Sequence, residues 1–125
     1  MPFQNLAADM LADAITGGSS YNKFSNSNAY LGVGNSSTAH AKAQTDLQGA
    51  SKTRKAMDAT YPSRSANVLT FRSTFATGDA NHDWYEWGLF NAASGGQMLS
   101  RKVENLGTKT GAATWQFTVT YTINV

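Results

Sequence analysis

Residues 114–125, with the sequence TWQFTVTYTINV, alternate polar and apolar side chains over their whole length. A period of two residues is typical of a β-strand with one buried face, and β-branched and aromatic residues suit a pleated surface. The apolar face comprises Trp115, Phe117, Val119, Tyr121, Ile123 and Val125. The stretch therefore predicts a long strand that pairs in a sheet and covers a core.

Similar patterns upstream predict further strands. Residues 29–34 combine apolar side chains with two glycines, and residues 52–61 could form a strand that Pro62 ends. In the second half, turn residues separate the apolar stretches, which favours an antiparallel meander. Its four predicted strands are residues 67–75, 84–90, 97–103 and 114–125. We expect a mainly β fold, either an antiparallel β-sandwich or a jelly-roll-like domain, with a short N-terminal helix.

The helix is predicted at the beginning of the chain. Apolar residues recur there at spacings of three to five, as in an amphipathic helix: Leu6, Met10, Leu11, Ala14 and Ile15. Asn5 is a good residue for the N-cap, and Gly17, with a second glycine after it, suits a left-handed C-cap. These signals predict a short amphipathic helix between them.

Residues 19–28 are rich in serine and asparagine and form either a surface loop or an arm that reaches a neighbouring subunit. The chain then divides into an N-terminal helix and arm, residues 1–28, and an antiparallel β domain, residues 29–125. At 125 residues and with no clear linker, the two parts are expected to form a single globular domain.

The composition excludes several classes of function. Only 14% of the residues are charged, compared with about 25% in average soluble domains, so little charge would be desolvated on assembly. The net charge of +2 is too small to mark a nucleic-acid-binding protein by itself. Cysteine is absent, which excludes disulfides and thiolate chemistry. Without a signal-peptide pattern or a membrane-length apolar run, we expect a protein made in the cytosol with no membrane partner.

The predicted strand at residues 84–90, WYEWGLF, is apolar on both faces. Strict alternation places Trp87 on one face and Trp84, Glu86 and Phe90 on the other. Such a strand is either central, with a core on each side, or covered by another subunit. A carboxylate between tryptophans must be paired or accept bonds from loop amides. The candidate cationic partners of Glu86 are Arg54, Arg72, Arg101 and Lys102.

Catalytic and metal-binding motifs are missing from the sequence. No HExxH, P-loop, GxGxxG or GxSxG pattern occurs, and His40 and His82 are far apart. The run DANHD at residues 79–83 imitates the opening of a calcium loop, but Trp84 and Phe90 replace the required glycine and glutamate. An Asx-rich turn accounts for it better. We expect a non-enzymatic protein with no catalytic residue, cofactor or metal site.

A basic cluster at residues 52–55, KTRK, has three interpretations. The favoured one is a solvated strand edge whose charge prevents unwanted pairing. The second is a contact with another subunit or an acidic partner. The third is nucleic acid, which these residues do not favour, because the repeated interleaving of basic and aromatic side chains is missing.

Three stretches together resemble small structural proteins of tailed bacteriophages. They are residues 30–39 (YLGVGNSSTA), residues 43–49 (AQTDLQG) with the following residues 52–57, and residues 86–91 (EWGLFN). The first and last are also similar to collar-type domains of phage tail fibres. The resemblance runs from about residue 29 to the end of the chain.

This resemblance implies a capsid decoration (cement) protein, present in many copies on the virion and assembled in the host cytoplasm. The implied partners are the major capsid protein and further copies of the chain, with a homotrimer as the implied assembly. A tail or tail-fibre attachment component is the alternative. From a different class, a carbohydrate-binding β-sandwich would need aromatic rings open on one face.

For any such assembly we predict interface residues on the helix, on the first strand, in the basic cluster and on the aromatic strand. They are Leu6, Met10, Tyr30, Arg54, Trp84, Glu86, Trp87 and Phe90.

Overall fold

The computed structural model describes residues 2–124 as two antiparallel sheets and one short helix. The elements are α1 (Leu6–Ile15), β1 (Tyr30–Gly34), β2 (Lys52–Ala56), β3 (Ser63–Ser65), β4 (Val68–Phe75), β5 (Asp83–Phe90), β6 (Met98–Thr108) and β7 (Trp115–Thr122). The first sheet has the order β2-β1-β5-β6 and the second the order β3-β4-β7. Both contribute side chains to one core, so the predicted mainly β, sandwich-like fold is confirmed.

The strand predicted at residues 114–125 is present as β7, Trp115–Thr122. Its side chains alternate as expected, with Val119 and Tyr121 buried and Thr118, Thr120 and Thr122 exposed. The strand ends before Ile123, which is half exposed, and Val125 lies outside the described residues. The period of two therefore identified the strand and its inner face, whereas the predicted strand was too long at its C-terminal end.

The predicted four-strand meander is wrong. β5 and β6 do form the expected hairpin, but β4 and β7 pair with each other in the second sheet. Each sheet has an apolar face, and the two faces are buried most fully when the sheets stack. The chain therefore crosses from one sheet to the other after β4 and again after β6, instead of adding each strand beside the last.

Aromatic rings fill the centre of the main core. The rings in edge-to-face contact with Trp84 are Phe75, Trp115 and Phe117, at centroid distances of 4.8, 4.9 and 5.8 Å. Trp87 meets Phe117 at 5.5 Å from the same side. The pairing of β5 with β6 shifts register between Trp84 and Glu86. Because of this irregularity, Trp84 shares a face with Trp87, and the prediction that placed it beside Glu86 is wrong.

The helix α1 begins and ends close to the predicted positions. Asn5 occupies the N-cap position, but it has helical dihedral angles and its side chain makes no capping hydrogen bond, which corrects the prediction for this residue. At the other end, Gly17 adopts a φ of 72°. The amide of Gly18 donates to the carbonyl of Asp13 at 2.7 Å, and that of Gly17 to Ala14 at 3.2 Å. This is the Schellman arrangement, which requires a left-handed residue such as glycine.

The N-terminal segment packs against its own β domain. The amide of Gln4 donates to the carbonyl of Leu99 (3.0 Å), and that of Arg101 donates to the carbonyl of Pro2 (3.3 Å). Both bonds lie along the edge of β6. Met10, on the inner side of α1, is buried.

Residues 19–28 also lie on the domain. Phe24 packs against the main core, and the side chain of Asn26 donates to the backbone carbonyls of Tyr61 (2.6 Å) and Asp58 (3.0 Å). This position agrees with the surface-loop alternative for residues 19–28.

Candidate functional site beneath the β1–β2 connection

A buried ion pair joins the middle of β5 to β6. Arg101 Nε donates to Glu86 Oε1 at 2.8 Å, and both side chains are fully enclosed. Arg101 is one of the four cations considered as partners for Glu86, so the predicted pairing is confirmed with this one. A buried pair is tolerated only when the remaining polar atoms of both groups also find partners.

Backbone amides of the β1–β2 connection, residues 35–51, supply the partners of Glu86. The amide of Gln48 donates to Oε1 at 2.8 Å, and those of Gly49 and Ser36 donate to Oε2 at 2.7 and 3.3 Å. The carboxylate thus satisfies three amides that no strand or helix satisfies. The prediction that Glu86 accepts bonds from loop amides is also confirmed, and the ion pair and the amide bonds occur together.

Two glycines make this approach possible. A Cβ at Gly34 would lie 2.4 Å from Glu86 Oε2, and one at Gly49 would lie 2.9 Å from the same atom and 2.5 Å from Asn35 Oδ1. Any side chain there would displace the carboxylate. Gly34 and Gly49 therefore leave the space that the enclosed carboxylate occupies.

Arg101 fixes the other part of the same connection. Its Nη1 donates to Gln44 Oε1 (3.1 Å) and its Nη2 to the carbonyl of Thr38 (2.9 Å). Three of its donors are thus used, one on Glu86 and two on the connection. The side chains of Glu86 and Arg101 together therefore bind the β1–β2 connection from the side of the sheet.

Beside the ion pair lies a small apolar cluster of Leu47, Phe90 and Met98, with Tyr30 packed against it. The guanidinium of Arg54 lies 3.6 Å from the centroid of the Phe90 ring, a cation–π contact. Its Nη1 also donates to the carbonyls of Ala92 (2.8 Å) and Gly95 (3.0 Å). Burial lowers the pKa of Arg54 from its ordinary value, while Asp46 opposes that change.

The basic cluster of residues 52–55 forms edge strand β2, and each of its cations has a carboxylate nearby. Lys52 and Arg54 lie 2.8 and 3.5 Å from the two oxygens of Asp46, and Lys55 lies 2.8 Å from Asp79. Burial acts to raise the pKa of Asp46, but hydrogen bonds from Lys52 and the Leu47 amide, with the nearby charges, lower it overall. This position agrees with the favoured interpretation of a charged strand edge.

The calcium-like run folds as a turn whose oxygens are used internally. Asp79 accepts hydrogen bonds from Lys55 and from the amide of Ala76, which lower its pKa. Asn81 Oδ1 accepts from Lys109 Nζ at 2.9 Å. Among residues 2–124, no group of three or more histidine, cysteine, aspartate or glutamate side chains could hold a metal ion.

A groove of about 980 Å³ lies between α1 and the C-terminal end of β7. Its lining includes Phe3, Leu11, Leu69, Tyr121 and Ile123. Burial raises the pKa of the Tyr121 phenol, which meets the Ser100 hydroxyl at 2.6 Å. The groove was not predicted, because the alternation of β7 indicates an inner face but not where that face stops being covered.

The predicted interface residues lie in different environments. Trp84, Glu86, Trp87 and Phe90 are enclosed by this chain, so their side chains present almost no surface to a partner. Met10 is buried on the inner side of α1. Leu6, Tyr30 and Arg54 are partly accessible. The exposed large apolar residues are Phe3, Leu11, Ile15 and Ile123. Leu11 and Ile15, which belong to the apolar pattern that predicted the helix, are one helical turn apart on its exposed side.

Comparisons with family models, with curated proteins and with solved structures found no match to this chain. Within the part of the chain that the structure describes, no helix has the length and apolar character needed to cross a bilayer.

Proposed function

We propose that this chain is a non-enzymatic structural protein of a tailed-bacteriophage virion. In this proposal it is a capsid decoration (cement) protein that binds and stabilises the assembled shell. A tail or tail-fibre attachment role in the same particle is the alternative. The major capsid protein is the proposed partner, and the virion is the proposed location.

One observation carries the proposal. The first two of the stretches that resemble phage structural proteins are close neighbours in the sequence, and the third lies about 40 residues further on, yet all three meet around Glu86. Residues 30–39 supply Gly34 and the Ser36 amide, residues 43–49 supply the Gln48 and Gly49 amides, and residues 86–91 supply the carboxylate. The resemblance therefore covers one physical unit of the fold.

The chemistry of this unit supports a structural role. Among the ion pairs of the described residues, Glu86 and Arg101 form the one in which both side chains are fully enclosed. A fully enclosed carboxylate whose oxygens already accept four hydrogen bonds presents no reactive group to a substrate. What the unit does is fix the shape of the β1–β2 connection.

The enclosed tryptophans also bear on the carbohydrate-binding alternative. Stacking on a sugar needs the flat face of a ring to be open, whereas Trp84 and Trp87 are nearly inaccessible in the main core, and the partly buried Trp115 packs against Trp84 at 4.9 Å. The decoration role is therefore the better supported of the two classes.

The test is the copy number of this chain in purified particles of the phage that encodes it. Quantitative mass spectrometry would measure its peptides against those of the major shell protein, with a tail protein of known low copy number as a control. A number comparable to that of the shell protein is expected. A few copies would support the tail alternative instead, and absence from the particle would contradict both.

A further inference from the structure

The four outer edges of the two sheets are protected to different degrees. An edge strand presents unpaired amides and carbonyls, and proteins usually block such edges by charge, shortness or a covering segment. β2 carries Lys52, Arg54 and Lys55. β3 has only 3 residues. β6 is covered at its beginning by the N-terminal segment, which bridges to it at Phe3 and Ser100. Three edges thus show a recognised form of protection.

The edge of β7 shows none of them. The strand has 8 residues, WQFTVTYT, without a charged residue, a proline or a glycine. Its pairing with β4 is regular from Trp115 to Thr122, with no bulge to twist the strand away. Among residues 2–124, the backbone hydrogen bonds of β7 come only from the side of β4. The outer side is an uncharged row of unpaired donors and acceptors about 27 Å long, uninterrupted by a bulge.

This edge is complementary to itself. In an antiparallel pair, residues that lie opposite each other point to the same face of the sheet. A two-fold axis that relates the strands through Thr118 or through Val119 therefore places inner-face residues opposite inner-face residues. On the outer face, each threonine or glutamine then lies opposite a threonine or a glutamine. On the inner face, apolar and aromatic residues lie opposite one another. Such cross-strand pairs are favourable, and no like charges meet.

The inner face has rings available for such a contact. Trp115 and Phe117 are only partly buried, whereas Val119 and Tyr121, further along the strand, are buried. The accessible parts of these two rings lie on the strand that forms the open edge. A second copy of β7 would extend the sheet over them.

We propose that β7 pairs with β7 of a second copy of this chain, so that two three-stranded sheets form one six-stranded sheet. The contact is isologous and closes at two copies, because the outer edges of the six-stranded sheet are the two copies of β3, which has only 3 residues. It differs from the homotrimer that the phage resemblance implies, and it does not depend on a role in the virion.

The first test is the mass of the chain in solution, measured by light scattering across a dilution series. We expect twice the chain mass of 13.4 kDa at high concentration. A single-chain mass at every concentration, or a three-chain mass, would overturn the proposal.

Two lysine substitutions on the same sheet face locate the contact. Thr120→Lys places charge on the edge strand, where it would meet the partner strand, and should give a folded single chain. Thr70→Lys places the same charge directly opposite on β4, one strand further from the edge, and should keep the two-chain mass. Two chains for Thr120→Lys, or one chain for both folded variants, would place the contact elsewhere and overturn the proposal.

A measurement on the unaltered protein does not depend on the folding of either variant. Hydrogen exchange of residues 115–122 should slow as the concentration rises, because the outward amides become bonded only in the pair. Exchange in β2, whose edge is charged, is the internal control and should not change. Exchange in β7 that is independent of concentration while the mass doubles would contradict pairing through this edge.

Discussion

On one face of β5, Trp84, Trp87 and Leu89 contact the second sheet, whereas on the other face Glu86 and Phe90 lie beneath the β1–β2 connection. Both faces are buried, but the covers differ. A sheet satisfies its own backbone groups, so the face that it covers can be apolar. An irregular connection brings unpaired amides into the interior, and each needs a partner. Glu86 and its cation provide these partners, which explains why a charged pair lies in the middle of an aromatic strand.

The largest expected effect comes from removing a partner of Glu86 on the face of β5 that lies beneath the β1–β2 connection, here called the polar face; the face that contacts the second sheet is the apolar face. Replacing Arg101 with methionine removes three hydrogen bonds and leaves the Glu86 carboxylate buried without its cation. We expect the free energy of unfolding to fall by about 5 kcal/mol, because one-sided loss of a buried pair is the costly case. Urea unfolding would measure it. The double variant Glu86→Gln/Arg101→Met should be more stable than Arg101→Met, and an Arg101→Met protein as stable as the wild type would contradict this account.

The apolar face should respond somewhat less to a single deletion. Trp87→Ala removes an enclosed ring that packs on Phe117 and should cost about 4 kcal/mol, mainly through the cavity left behind. Thermal unfolding followed by circular dichroism would detect the loss. Tyr85→Ala, at a partly exposed position of the same strand, is the control and should change the melting temperature less. Equal shifts for the two variants would show that burial on this face does not decide the result.

A single methyl group should disturb the polar face. In Gly34→Ala the new Cβ would lie 2.4 Å from Glu86 Oε2, so the carboxylate would have to move away from the amides that it satisfies. We expect a loss of about 2 kcal/mol of stability. Gly78→Ala is the matched control, because nothing lies within 4 Å of its Cβ. Equal stabilities of the two variants would argue against close contact at Gly34.

A smaller effect is expected at the rim of the polar face. Arg54→Met removes the cation above the Phe90 ring and should lower the stability by about 1 kcal/mol. Lys52→Met, at a more exposed position of the same strand, should be nearly neutral. Chemical unfolding of both would compare them, and a larger loss for Lys52→Met would reverse the assignment.

The smallest effect concerns pH. The folded pKa of Asp46 lies below its ordinary value of 3.8, so its carboxylate stabilises the protein above that pH and loses this contribution as the pH falls through the folded pKa. Because the side chain is 41% exposed, the contribution should be well under about 1 kcal/mol. The stability difference between wild type and Asp46→Asn should therefore be present at neutral pH and shrink in acid. A difference that grows in acid would contradict the sign.

The predictability of the fold followed the regularity of each pattern. The hairpin of β5 and β6 and the inner face of β7 were predicted, because a period of two and turn residues are local signals. The position of Trp84 was not, since the register irregularity beside it reverses a face without changing the residue pattern. The end of β6 was also missed: the strand continues to Thr108 through Asn105 and Gly107, which suggest a break.

For the candidate site, the sequence predicted only that Glu86 requires polar partners. An acid between two tryptophans must find a cation or amides, and the sequence named Arg101 among four cations. The choice among them depended on which strand lies beside β5, which is a tertiary property. The need for glycine at positions 34 and 49 is visible only in the structure, where the Glu86 carboxylate lies against their backbone.

By itself, the sequence determined that this protein is built from strands, where its aromatic strand lies and that Glu86 needs partners, because these follow from side-chain periodicity and from the cost of burying charge. The tertiary structure decided which strands share a sheet, which cation meets Glu86 and which edge is left unprotected. Those outcomes depend on how two sheets stack to cover each other, a property of residues that are distant in the chain.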